Sequence, residues 1–270
     1  MKKGISIWCF PGGQPLKDSM RQAKDAGFDG IEVALNEDGE MAVGWGPFQV
    51  KDILLYANDI GLDIASFASG LGWKYPLITR DEGMKKKAKE LLDTALRFAG
   101  ILETDVVLSV PGTVNPDMPY DEAYERGVAA YKECAAMAQA HGVTIGVENV
   151  WNKFLVSPLE FARFIDDIDH PSVRAYFDVG NVLLFGYPEQ WIRILGERIC
   201  KVHIKDFQTG RFVFTTLLNG DVNYPAVTAA LKAVGYDGYL IAEVGPISPA
   251  FPSYLVEETS RAMDRILGRS

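Results

Sequence analysis

Apolar and polar positions alternate along this chain in two distinct rhythms. Short runs rich in Ile, Val, Ala and Phe, at Gly4 to Cys9, Gly30 to Leu35, Asp63 to Ser66 and Asp105 to Val110, have the length of buried strands. Between them lie longer stretches whose apolar residues recur every three or four positions, which predicts amphipathic helices over Pro15 to Ala26, Phe48 to Ile60, Asp81 to Ala99 and Tyr120 to Ala140. The second half repeats the pattern. Strands are predicted over Val143 to Glu148, Val173 to Asp178, Ile199 to Lys205 and Tyr239 to Val244, and helices over Pro158 to Ile168, Pro188 to Leu195, Pro225 to Val234 and Ser253 to Leu267. The run of Lys85, Lys86, Lys87 and Lys89 gives the third helix a solvated face. Three junctions, at Gly27, Gly61 and Gly235, end a helix on glycine and enter the next strand through an aspartate turn. Eight strand-helix units in 270 residues predict an α/β fold, a single (β/α)8 TIM barrel domain over residues 1–270. A doubly wound sheet would use fewer units and a glycine-rich first turn, which Pro11-Gly12-Gly13 imitates only weakly. Phe207 to Asn223 is longer than a strand-helix connection needs and is predicted to hold a hairpin.

Composition narrows the function. With 36 acidic against 27 basic residues the net charge is -9, which repels a phosphate backbone and argues against nucleic-acid binding. Cys9, Cys134 and Cys200 are odd in number and far apart, so neither a disulfide framework nor a thiolate zinc site is expected, and a reducing cytoplasm is the natural setting. The apolar run after Met1-Lys2-Lys3 stops at Phe10-Pro11-Gly12-Gly13, too short for a signal peptide, and no stretch is long enough to span a membrane.

Candidate chemistry gathers at strand ends. Of three histidines, His141 sits in a helix-ending His-Gly pair and His170 in an Asp-His-Pro turn, leaving His203 alone inside an apolar run. In a barrel, reactive groups lie at the C-terminal ends of the strands. Strands five to eight would present Glu148, Asp178, His203 and Glu243 to one mouth. Three buried carboxylates repel one another, and a divalent cation removes that conflict. The oxygen-rich set suits Mn2+, Mg2+ or Co2+ better than a closed zinc site.

Val147-Glu148-Asn149, Phe177-Asp178-Val179-Gly180-Asn181, Val202-His203-Ile204-Lys205-Asp206 and Gly235 to Glu243 resemble the motifs of the sugar phosphate isomerase/epimerase group of the xylose isomerase-like barrels, over nearly the whole chain. That group includes D-tagatose 3-epimerases, L-ribulose and L-xylulose 5-phosphate 3-epimerases, hydroxypyruvate isomerases and inosose dehydratases. The resemblance implies one divalent metal, Mn2+ first with Mg2+, Co2+ or Zn2+ as alternatives, bound by Glu148, Asp178, His203 and Glu243. It implies that the two glutamates also serve as acid and base, in a ketose or ketose phosphate 3-epimerase acting through an enediolate. Ketose 3-epimerases often have a histidine where this chain has Asn181 and a glutamate where it has Phe154, two departures that weigh against free ketohexoses.

Around the mouth, Trp8, Phe10, Phe67, Trp73 and Trp151 are placed to pack on sugar C–H surfaces. Glu32, Asn149 and Asn181 are expected to bond substrate hydroxyls or the ligands, and Lys205 and Arg211 are the candidates to hold a phosphate or substrate oxygen, against a solvated or ion-paired role that is the favoured reading of Arg211. The expected partner is a small carbohydrate, free or phosphorylated. Tyr187 to Trp191 offers an aromatic for pairing two copies into a homo-oligomer. Rival readings are an aldose-ketose isomerase, an inosose-type dehydratase, an endonuclease IV-like repair enzyme and a non-catalytic sugar-binding barrel. The repair enzyme needs several histidines for its zinc cluster, and this chain offers one.

Overall fold

A computed structural model describes residues 1–245 and 251–269. Eight parallel strands close on themselves: β1 (Lys2–Ser6), β2 (Gly30–Leu35), β3 (Asp63–Ser69), β4 (Val106–Ser109), β5 (Thr144–Glu148), β6 (Val173–Asp178), β7 (Ile199–Ile204) and, after a hairpin, β10 (Tyr239–Ala242), which pairs back onto β1. The hairpin of β8 (Asp206–Gln208) and β9 (Val213–Thr215) is antiparallel and lies where the sequence predicts one. Helices α1 (Leu16–Asp25), α2 (Pro47–Ile60), α3 (Glu82–Ile101), α4 (Tyr120–His141), α5 (Pro158–Ile168), α6 (Pro188–Leu195), α7 (Tyr224–Ala233) and α8 (Pro252–Leu267) follow the barrel strands in turn. The predicted (β/α)8 barrel is therefore the observed fold.

Local chemistry sets the helix ends. Asp81 accepts from Met84 N at 2.8 Å to cap α3, and Asn223 accepts from Ala226 N at 3.1 Å to cap α7. Proline stands in the first turn of α2, α5, α6 and α7, where its missing N–H costs no hydrogen bond.

Side chains pointing outward from the strands, such as Ile31, Val33, Phe67, Val107 and Phe177, form one large core with the helices. A smaller inner cluster, including Ala34, Leu108, Tyr176, Tyr239 and Ile241, fills the barrel. Small residues there make room for large ones: a Cβ on Gly146 would stand 2.9 Å from the Tyr176 ring.

Most boundaries shift by one or two residues, and two larger shifts bear on the mouth. β1 stops at Ser6 and the chain turns through a short 3-10 helix, Ile7–Cys9, so Trp8 lies beyond the strand. β3 runs three residues past the predicted end, which puts Phe67 inside it.

Candidate metal centre

The four candidate ligands arrive from neighbouring strands. Glu148 and Asp178 end β5 and β6, His203 is the penultimate residue of β7, and Glu243 follows β10 with its N–H still bonded to Ile204 O at 3.0 Å. In the register, Glu148 stands opposite Tyr176 and Asp178 opposite His203. One ligand atom from each of Glu148, Asp178, His203 and Glu243 lies within 4.8 Å of the others.

His203 is fully buried and held from below. Its Nε2 is 3.0 Å from Glu32 Oε1, and Glu32 Oε2 accepts from Tyr176 OH at 2.6 Å. An ionised carboxylate only accepts, so Nε2 carries a proton and Nδ1 is aimed at the mouth, 2.9 Å from Glu148 Oε1 and 3.5 Å from Glu243 Oε2. Burial alone would raise the Glu32 carboxyl, but His203 and the Tyr176 hydroxyl outweigh it and hold it below its ordinary value. Burial likewise works against a charged His203, and Glu32 and Glu148 overcome it to hold its pKa well above normal.

Asp178 is set by two asparagines. Asn149 Oδ1 accepts from Asp178 N at 2.8 Å while its Nδ2 donates to Asp178 O at 2.9 Å. Asn181 N donates to Asp178 Oδ1 at 2.6 Å, and Asn181 Nδ2 donates to Asn149 O at 2.9 Å. Asp178 Oδ2 is left buried with no hydrogen bond, facing the Lys205 ammonium at 3.4 Å. Lys205 donates to Glu243 Oε2 at 2.5 Å. The chain can approach this closely because residue 180 is glycine, where a Cβ would fall 2.4 Å from Lys205 Cγ.

Four carboxylates, of Glu32, Glu148, Asp178 and Glu243, thus meet two basic groups, His203 and Lys205. The deficit shows in the titration. Burial, with the Glu243 charge beside it and His203 opposing, pushes the Glu148 carboxyl up to about 7, and burial raises Asp178 despite Lys205. An orphaned carboxylate oxygen, an imidazole nitrogen held toward the same point and an excess of negative charge fit a divalent cation.

The remaining sequence candidates divide. Trp8, Trp73, Trp151, Asn181 and Lys205 line a cavity of about 200 Å³ beside Glu148 and Glu243. Glu32 and Asn149 are buried beneath the ligands and support them rather than opening to a substrate. Phe67 is a correction: it points away from the mouth and packs edge-on to Phe98 of α3, 6.2 Å between ring centres. Arg211 is a second, exposed at the hairpin turn and bonded to Gln208 Oε1 at 3.4 Å, away from the carboxylates. Trp191 is buried against Phe177 and offers no free face for pairing. Phe154, in place of a glutamate, is a core residue packed on Tyr120 and Phe164. Sequence reading missed Tyr176 and Phe214. Tyr176 follows β6's alternation to the inside, two positions before Asp178, which is a signal that was present. Phe214 reaches the mouth only through the fold of the hairpin, where its ring centre lies 4.8 Å from that of Trp151 with the planes tilted by 37°.

Fold and site together define a parallel barrel with a metal-capable mouth at its C-terminal end. The chain belongs to the Xylose isomerase-like TIM barrel family, whose model matches residues 20–265. It is 24% identical over 273 residues to the L-ribulose-5-phosphate 3-epimerase UlaE of Salmonella paratyphi C, covering 98% of this chain and 94% of that protein. Its likeness to the UlaE protein of Shigella flexneri is 26% over 246 residues, covering 88% and 85%. The D-psicose 3-epimerase of Clostridium cellulolyticum H10, solved with D-tagatose, superposes with a TM-score of 0.82 over 99% of both chains at 18% identity.

Proposed function

We propose that this protein is a divalent-metal-dependent ketose 3-epimerase, with Glu148 and Glu243 as its two proton-transferring groups. The observation that carries this reading is the placement of both glutamates around one point with Asp178 and His203, where one buried oxygen of Asp178 is left without a hydrogen bond. Glu148, Asp178, His203 and Glu243 would hold the metal, and Mn2+ suits three carboxylates and one imidazole. Such an ion supplies Lewis-acid polarisation of a carbonyl and its neighbouring hydroxyl. The protein's own groups do the rest. Glu148 and Glu243 come from β5 and from beyond β10, so one can take the proton from one face of the carbon beside the carbonyl while the other returns one to the opposite face. Asn149 and Asn181 hold Asp178 still, Glu32 fixes the His203 ring, and Lys205 donates to Glu243 and to a substrate oxygen. Trp8, Trp73 and Trp151 wall the cavity and reduce the water around the transferred proton. The names of the curated relatives support the same class of chemistry. Free thiols at Cys9, Cys134 and Cys200, with no described helix long and apolar enough to cross a membrane, accord with a cytoplasmic setting.

The test is proton exchange. The Mn2+-loaded protein is incubated with ketoses and ketose phosphates in D2O and followed by NMR, beside Glu148→Gln and Glu243→Gln. Deuterium at C3 with a new epimer, lost in both variants, is the expected result. Exchange at C1 or C2 with aldose formation would make the protein an isomerase. Metal binding without exchange at any position would overturn the reading.

A further inference from the structure

The mouth is larger than a small sugar phosphate requires and offers no spare positive charge to hold one. The 200 Å³ cavity beside Glu148 and Glu243 shares Trp8 with a second cavity of about 520 Å³ that lies over the ends of β1 and β2. The first alone is below the range of roughly 300–1,000 Å³ common for small-molecule sites, but it also shares Trp8, Lys205, Phe214 and Glu243 with a third cavity of about 570 Å³, so one ketose is accommodated there and the cavity over β1 and β2 is left as room for a further ring. The second cavity mixes apolar walls with neutral polar groups, among them Gln14 and Asn36. Its charged lining residues are Asp38 and Glu40, and no basic side chain reaches it.

Charge makes the same point. That third cavity adjoins Glu243 and Phe214. Among the described residues lining all three cavities Lys205 is the single cation, and its ammonium is already placed between Glu243 and Asp178. Even with a divalent cation bound, the four carboxylates outweigh it and Lys205 together, so a phosphate there would find no surplus positive charge. The N-terminus of α1, which opens beside the second cavity, would be a natural anion seat. Glu40 Oε2 occupies it, accepting from Leu16 N at 2.6 Å. Arg211 lines none of the cavities, and residues 246–250, outside the described residues, contain no basic residue in their sequence.

We propose that the substrate is an uncharged ketose carrying a second sugar ring, a ketose disaccharide or keto-glycoside, and not a sugar phosphate; this rests on the epimerase reading above. The ketose unit lies beside Glu148 and Glu243, and the distal ring passes Trp8 into the cavity bounded by Asn36 and Asp38. Trp8 offers an aromatic face to C–H surfaces, and the neutral amides offer hydrogen bonds to hydroxyls.

The experiment compares substrates that differ only in what is attached to one hydroxyl. D-Fructose, its 6-phosphate and isomaltulose, which carries glucose on the same oxygen, are each given to the Mn2+-loaded protein in D2O, with L-ribulose and its 5-phosphate alongside. The expected result is a kcat/KM for exchange at least about tenfold higher on the glucosyl compound than on the 6-phosphate. The kcat/KM ratio of glucosyl compound to plain ketose is expected to fall about tenfold in Asn36→Ala, which removes the distal contact. Because Asn36 also donates to Ala34 O and Glu40 O, the exposed Asp38→Lys serves as a second variant and is expected to raise relative activity on the phosphate. Exchange on plain ketoses with no gain from the glucosyl ring, or a preference for either phosphate, overturns this proposal and leaves the epimerase reading standing. No exchange on any of the five overturns both.

Discussion

The two ends of the barrel are built from the same strands and treat charge in opposite ways. At the N-terminal end each buried cation meets an acid of its own. Lys201 of β7, 4% exposed, is 2.8 Å from Asp105, and Lys3 donates to Asp264 at 2.7 Å and to Ser260 Oγ at 2.9 Å. At the C-terminal end the same β7 presents His203, with Lys205 just past it, to four carboxylates, and one buried oxygen of Asp178 is left without a hydrogen bond. A barrel end that only had to be stable would resemble the first. Buried like charges cost stability unless something neutralises them, so the imbalance marks where the protein holds a ligand.

The largest effect expected from breaking this contrast is at the mouth. Glu243→Gln removes a proton-transferring carboxylate and a metal oxygen together, and should lower the exchange rate by about 10³-fold, as should Glu148→Gln. Metal-free Glu148→Gln should nonetheless melt no lower than the parent at pH 8, since it loses a buried charge that repels its neighbours. A variant that keeps full exchange would remove that glutamate from the chemistry.

Acidity offers the next largest effect, in the metal-stripped protein. Glu148 titrates at about 7 in the fold against an ordinary 4.5, chiefly because it is buried, with Glu243 adding to the rise. Between those values the native state binds more protons than the unfolded chain, so stability falls as pH rises across the window and the loss is complete above about 7. The difference is on the order of 3 kcal/mol. His203 acts in the same sense: its raised pKa gives stability that is present below its ordinary 6.5 and is lost as pH climbs through the raised value. Thermal melts of EDTA-treated protein should therefore drop by several degrees from pH 5 to pH 8, with a shallower slope in Glu148→Gln and in protein reloaded with metal. A flat profile in the stripped parent would contradict the charge excess.

At the other end the sign reverses. Asp105→Asn deprives buried Lys201 of its partner, but the Asp105 side chain is 74% exposed and water replaces part of the interaction, so the cost is about 1–2 kcal/mol. Stability by denaturant titration should fall by that amount with exchange unchanged. Lost exchange at normal stability would mean that the two ends are coupled.

How much of this contrast the sequence discloses depends on distance along the chain. The strand-helix rhythm is local, and it places all eight strands and brings the four candidate ligands to one mouth because each lies at or next to the end of its own apolar run. The hairpin is legible because Phe207 to Asn223 exceeds the length a connection needs. Which way a residue faces depends on where its strand stops. A strand that ends at Ser66 leaves Phe67 at the mouth, and the three further residues of β3 turn it into the outer core. Arg211 follows the site in sequence, yet it lies exposed at the hairpin turn, bonded to Gln208. Neutral or charged surroundings of a cavity depend on residues far apart in the chain, as when Glu40 fills the N-terminus of α1, and no period in the sequence reports such pairings.

Tyr176 gives the smallest effect and the finest test of how the mouth is held. Its hydroxyl donates to Glu32 at 2.6 Å and lies 3.3 Å from Ser66 Oγ, and its ring stands 4.6 Å from that of His203. Tyr176→Phe keeps the ring in the space left by Gly146 and takes away one of the donors to Glu32. With that donor gone Glu32 can turn, and His203 Nδ1 is less firmly aimed at the point where the candidate metal ligands meet. Stability should fall by about 1 kcal/mol and metal affinity by about tenfold, with activity recovered at excess Mn2+. Calorimetric titration of the variant separates the alternatives. An unchanged metal affinity beside the expected loss of stability would reduce Tyr176 to packing, and would mean that Glu32 alone is enough to aim the histidine.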